Sequence, residues 1–240
     1  MLLDLMKKQV QEYKIKLPLT KKTIRMRSLL VKEEKLITQI QELSSTTEEK
    51  LEGLCKIVDS CCVNVNSKNL PIYDFQFLLT ELRKRSYSDT SSFNITCPKT
   101  KEKVQINLNL ASGVINKTSK EKLILKLPTA IFEFRRPTID DLLQIKNIPE
   151  KNEEFLFLMI NCLNQVENES EKIDLTLISK EEKISCLEYL NKKDYEKIKE
   201  FILESFVEYK IKYKTSDGVD RIIEVKDFAN HLKFYLVTLI

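Results

Sequence analysis

Tryptophan is absent, histidine occurs once and glycine three times in 240 residues. Each scarcity removes a class of function. With His231 as the one imidazole, a histidine-based acid–base or nucleophile pair would rest on a single side chain among apolar neighbours. A surface or interface role suits it better. Gly53, Gly113 and Gly218 are too far apart for a phosphate-cradling loop or a dinucleotide fingerprint, which excludes those two enzyme classes. No apolar run approaches the ~20 residues of a membrane span. Met1 to Val10 puts its apolar residues before its lysines, unlike a secretory signal, and Leu2, Leu3, Met6, Val10 and Tyr13 fit a helical stripe. Cys55, Cys61, Cys62, Cys97, Cys162 and Cys186 form no regular framework, as in a reducing cytosol. Cys61 and Cys62 have apolar neighbours at helical spacing and read as small buried hydrophobes rather than a redox pair. The acidic residues form no spaced, cleft-like constellation and read as charged helix faces. The sequence therefore points away from catalysis.

A hydrophobic content of 42% beside 32% charge is that of a folded, soluble chain able to bury a proper core. The net charge of +4 conceals an asymmetry. Residues 1–136 carry 25 basic and 15 acidic side chains, whereas residues 137–240 carry 15 and 21. A bipolar chain can orient against neighbours of opposite charge or against its own copies; accidental drift between two solvated surfaces gives the same pattern.

The stretch Lys14 to Ile37 predicts a β-hairpin running into an amphipathic helix. Ile15 and Leu17, then Ile24 and Met26, supply period-2 apolar faces around a Pro-Leu-Thr-Lys-Lys turn, with Arg25 and Arg27 opposite. Val31, Leu36, Ile37 and Ile40 continue as a helical stripe. Thr46 and Glu49 spell a capping box for a helix with Leu51, Leu54, Cys55, Val58, Cys61 and Cys62 on one face. Asp74 is placed to cap another, with Phe75, Leu78, Leu79 and Leu82 as its stripe and Arg83-Lys84-Arg85 in its last turn. Phe93, Ile95 and Cys97 alternate, Pro98 to Glu102 turn, and Val104, Ile106, Leu108 and Leu110 alternate back. Strands follow at Lys122–Leu127 and Ile131–Arg135, joined at Pro128-Thr129.

Beyond Pro137 and a Thr138/Asp141 opening, the pattern is mainly helical. Stripes occur at Phe155, Leu158, Met159, Cys162 and Leu163, at Ile184, Leu187 and Leu190 after a Ser179/Glu182 box, and at Tyr195, Ile198, Phe201, Ile202 and Phe206. A second hairpin turns at Thr215–Gly218. Phe228, Leu232, Tyr235, Leu236, Leu239 and Ile240 then form a terminal helical stripe after a cap at Asp227. No fixed-period repeat of the 20–50-residue kind is present. The expected class is α+β: mainly helical, with an N-terminal β-hairpin, a central antiparallel β region and a C-terminal hairpin plus helix. The expected divisions are residues 1–90, 91–136 and 137–240, packed as one assembly.

The wording of four segments resembles the T-even phage baseplate hub and hub-assembly proteins. The likeness is strongest over residues 14–37, KIKLPLTKKTIRMRSLLVKEEKLI. It continues through Leu70-Pro71-Ile72-Tyr73-Asp74 to Leu82-Arg83-Lys84-Arg85-Ser86, through Ile131 to Leu142, IFEFRRPTIDDL, and at Val225-Lys226-Asp227-Phe228. The segments stand in the family's order. The resemblance implies a structural or assembly protein of a contractile tail's baseplate hub, working in the infected bacterium's cytoplasm and carried into the virion baseplate if it is retained. Other hub proteins and the tape-measure protein are its implied partners, and no cofactor, catalytic residue or membrane role accompanies them. Candidate partner-binding residues are Arg25, Arg27, Arg83, Arg135 and Arg136, with Phe228, Leu232, Tyr235, Leu236 and Leu239.

Two further expectations follow. Family members commonly carry a C-P-x-C knuckle in the central hairpin and a second cysteine-rich knuckle in the C-terminal one, a set suited to structural zinc. Here Cys97-Pro98-Lys99-Thr100 has lost the second thiol and the turn at Lys214–Gly218 has no cysteine, so no zinc is expected. The alternative function is a basic nucleic-acid-binding module built on Arg83-Lys84-Arg85, Lys99–Lys103 and Arg135-Arg136, with Tyr87 and Phe93 for stacking. A charge run of this kind is more often a solvated turn.

Overall fold

A computed structural model describes residues 9–42, 46–112, 114–115, 120–145, 151–168, 171–204 and 207–225. The architecture is α+β, with helices and small antiparallel sheets. The chain divides into two compact units: one of Met1–Ser67, Tyr73–Lys117 and Ser205–Ile240, the other of Lys68–Ile72 and Thr118–Glu204.

The first unit opens with the expected hairpin, β1 (Glu12–Lys16) against β2 (Thr23–Arg27), in a register that sets Ile15 opposite Ile24 and Tyr13 opposite Met26. Tyr13, placed by its spacing on a helical stripe, lies in a strand instead; residues 1–8 of that stripe are outside the described residues. Helix α1 (Val31–Glu42) follows, then α2 (Thr47–Cys61), whose N-terminus carries both halves of the Thr46–Glu49 box. Gly53 admits α1 closely: a Cβ there would lie 2.4 Å from Cδ1 of Ile40. The chain leaves α2 into β3 (Cys62–Val63), which pairs with β2.

Helix α3 (Ile72–Ser86) buries Phe75, Leu78, Leu79 and Leu82, the stripe read from the sequence. Asp74 is not its cap. It lies inside the first turn, wholly buried, and its carboxylate accepts from the amides of Leu19 (2.8 Å) and Thr20 (3.1 Å) and from the Thr20 hydroxyl (2.7 Å). Next come β4 (Thr90–Thr96) paired with β5 (Lys103–Asn109), the two-residue β6 (Val114–Ile115), and, near the chain's other end, β11 (Val207–Lys214) with β12 (Asp220–Val225). Strand β11 pairs with both β12 and β6.

The second unit is a four-stranded antiparallel sheet in the order β10-β9-β8-β7. Its strands are β7 (Lys122–Lys126), β8 (Ile131–Arg135), β9 (Leu163–Glu167) and β10 (Lys172–Ile173). Helices α4 (Ile139–Ile145), α5 (Lys151–Cys162), α6 (Lys180–Glu188) and α7 (Lys192–Leu203) complete it. Its core gathers Phe132, Phe134, Met159, Cys162, Ile198 and Ile202. Leu163, read as the end of a helical stripe, begins β9, so a strand pair interrupts the region expected to be helical. The terminal stripe from Phe228 to Ile240, with its cap at Asp227, lies outside the described residues.

Candidate functional site

Several charged residues of the family-like segments form polar locks. In the first unit Arg27 ends β2 and reaches the first turn of α1, where its two terminal nitrogens donate to the two oxygens of Glu33 at 3.1 and 3.0 Å. The same guanidinium donates to the carbonyl of Ser28, and the Glu33 carboxylate accepts from the Leu30 amide, each at 3.0 Å. Ser60 of α2 donates its hydroxyl to Glu33 at 2.5 Å. Burial alone would raise the Glu33 carboxyl, which is 2% exposed, but the bonds from Arg27 and Ser60 hold it down to about 2.

The second unit repeats the device. Arg135 ends β8 and grips Asp141 in the first turn of α4 at 2.6 and 3.0 Å, while donating to the carbonyl of Arg136 at 3.0 Å. Asp141 accepts from the Thr138 amide at 2.7 Å, and the Thr138 hydroxyl accepts from the Asp141 amide at 3.3 Å. In each unit an arginine closes a hairpin, an acid stands six residues on, and the planar fork of the guanidinium meets both carboxylate oxygens. A strand-end arginine followed six residues later by an acid is the sequence signal. The signal is weak because its two instances lie more than a hundred residues apart in the chain.

The other candidate arginines differ in what they reach. Arg136, 4% exposed, donates to the carbonyls of Lys120 and Phe201 and to the Glu204 carboxylate, with its guanidinium 4.1 Å from the Phe201 ring centre. Arg83, 5% exposed, donates to the carbonyls of Ser88 and Thr90 and lies over the Tyr87 ring. Its neighbours Lys84 and Arg85 pair with Glu81. Arg25 is exposed on β2, 3.5 Å from Glu12. Phe228, Leu232, Tyr235, Leu236 and Leu239 lie outside the described residues, as does His231.

Two other features complete the polar map. An open cleft of about 460 Å³ in the second unit is lined by Asn69, Arg135, Thr138, Asp140, Asp141, Gln144 and Asn161. Its wall offers amide and carboxylate groups, and the Arg135–Asp141 pair in it is closed on itself. In the first unit the turn after Cys97 meets the turn after Tyr213. Glu102 accepts from the Ser216 amide and hydroxyl, both at 3.0 Å, and the Tyr213 hydroxyl donates to the Cys97 sulfur at 3.4 Å. Arg221 binds Asp217 and the Thr215 hydroxyl. Hydrogen bonds from Thr100, and then from Tyr213, pull the Cys97 thiol down to about 6. No group of three or more His, Cys, Asp or Glu side chains placed to hold a metal occurs among the described residues. No described helix is long and apolar enough to cross a membrane.

The model of the family described as T4 bacteriophage base plate protein matches residues 10–233. The chain belongs to that family, and is a T4-like phage baseplate protein. No curated protein and no solved structure matches significantly.

Proposed function

We propose that the protein is a structural or assembly component of the baseplate hub, working through protein–protein contacts and catalysing nothing. The observation that carries this reading is the family match over nearly the whole chain. The family-like segments lend it support, because Arg27 with Glu33 and Arg135 with Asp141 lock hairpins onto helices, as suits a rigid assembly part. Arg83, the first residue of the basic run, is buried, and the two after it face an acid, which weakens the nucleic-acid alternative. The partners in this reading are other hub proteins and the tape-measure protein, met in the cytoplasm of the infected bacterium. Affinity isolation of the tagged protein from infected cells, beside mass spectrometry of purified particles, tests it. Recovery of hub subunits supports the reading, and presence in or absence from particles separates a retained part from a departing chaperone. Isolation with nucleic acid and no baseplate polypeptide would overturn it.

A further inference from the structure

Among the described residues, strand β4 is an outer strand that lacks the usual protection. It forms a two-stranded sheet with β5, and β5 lies beside β11. Sheet edges are normally guarded by charge, proline or bulges, because unpaired backbone groups invite another strand. Every other described strand of five or more residues carries a charged side chain; β4, Thr-Ser-Ser-Phe-Asn-Ile-Thr, carries none. It also has no proline, and its pairing with β5 runs without a register shift.

The phase of the ladder shows which groups are open. Cys97 donates to the Glu102 carbonyl at 2.8 Å and Leu110 to the Asp89 carbonyl at 2.7 Å. Odd-numbered residues of β4 therefore bond to β5, and Ser92, Asn94 and Thr96 aim their N–H and C=O groups outward. Those three are exposed, and among the described residues their outward backbone groups meet no partner. Phe93 and Ile95, on the other face, are half-buried.

We propose that β4 is a self-association edge, pairing antiparallel with β4 of a second copy about a two-fold axis through Asn94. In that register Asn94 faces its own copy and Ser92 faces Thr96, so each outward donor and acceptor in the segment meets its complement. Phe93 falls opposite Ile95, and this apolar pair covers surface that the monomer leaves half-buried. The absence of charge favours this occupant, since the two-fold sets Asn94 against its own equivalent and a strand charged with one sign would repel its copy. The inference is independent of the hub reading.

Sedimentation of the full chain over a concentration series tests it. The wild-type protein shifts from monomer to dimer as concentration rises. Asn94→Lys sets like charges together at the axis and weakens the dimer by about tenfold or more, with circular dichroism and melting temperature kept. Ser92→Lys combined with Thr96→Glu sets opposite charges against each other in the same register and retains the dimer. Should Asn94→Lys fail to fold, Asn94→Asp supplies the same like-charge contrast. A wild-type chain that stays monomeric throughout, or a folded charge variant that dimerises as readily as wild type, overturns the proposal.

Discussion

Two acids and two arginines explain much of how each unit holds its first hairpin. A carboxylate buried without a partner would take up a proton; one gripped by a bidentate guanidinium stays ionised and fixes the hairpin-to-helix angle. Glu33→Gln removes that charge and leaves Arg27 uncompensated, with an expected loss of about 3 kcal/mol in urea denaturation at pH 7. The pH dependence has a definite sign. The bonds from Arg27 and Ser60 hold the folded carboxyl at about 2 against an ordinary 4.5. Its contribution is complete above the ordinary value and is lost as pH falls through the folded one, so the gap between wild type and variant closes toward pH 2. The cysteines divide by environment. Burial pushes the thiols of Cys61 and Cys62 up to about 11 and about 12, and raises Cys162 too, whereas Cys186 is exposed. Brief alkylation of the native protein, read by peptide mass spectrometry, should label Cys186 and spare those three until denaturant is added.

Among the elements, the strongest sequence patterns are those the structure keeps. The hairpin of β1 and β2, the Thr46–Glu49 box and the buried stripe of α3 each rest on local spacing, which the fold has no reason to override. Strand β9 was hidden by a bulge. The register with β8 slips between Glu133 and Phe134, so Leu163 and Val166 both turn inward with two residues between them. That interval reads as the next step of a helix. Asp74 departs from its expected role for a different reason: an acid just inside a helix start looks like a cap, and only the tertiary fold brings the turn at Leu19 and Thr20 against it. Asp74→Ala should therefore loosen the hairpin turn rather than unwind α3. Faster hydrogen exchange at the Leu19 and Thr20 amides, with α3 still protected, is the expected result. At the contact of α1 with α2, Gly53→Val should lower stability by about 1–3 kcal/mol in thermal unfolding, because Ile40 already occupies the space.

On the scale of the whole molecule, each unit is discontinuous in sequence. Such interleaving is invisible to periodicity, which sees only neighbours along the chain. The wording of the four segments carried more, because polar interlocks demand particular side chains at particular places, while apolar packing accepts many. Those segments named the baseplate class that the family match establishes. They said little about which surface meets a partner, since Arg27, Arg83, Arg135 and Arg136 in them are turned to internal contacts. The most direct measurement is electron microscopy of lysates from a phage whose copy of this gene carries an early stop codon. Filled heads without completed baseplates, restored when the protein is supplied from a plasmid, are the expected result. Particles with normal baseplates in the protein's absence would contradict a role in building the baseplate.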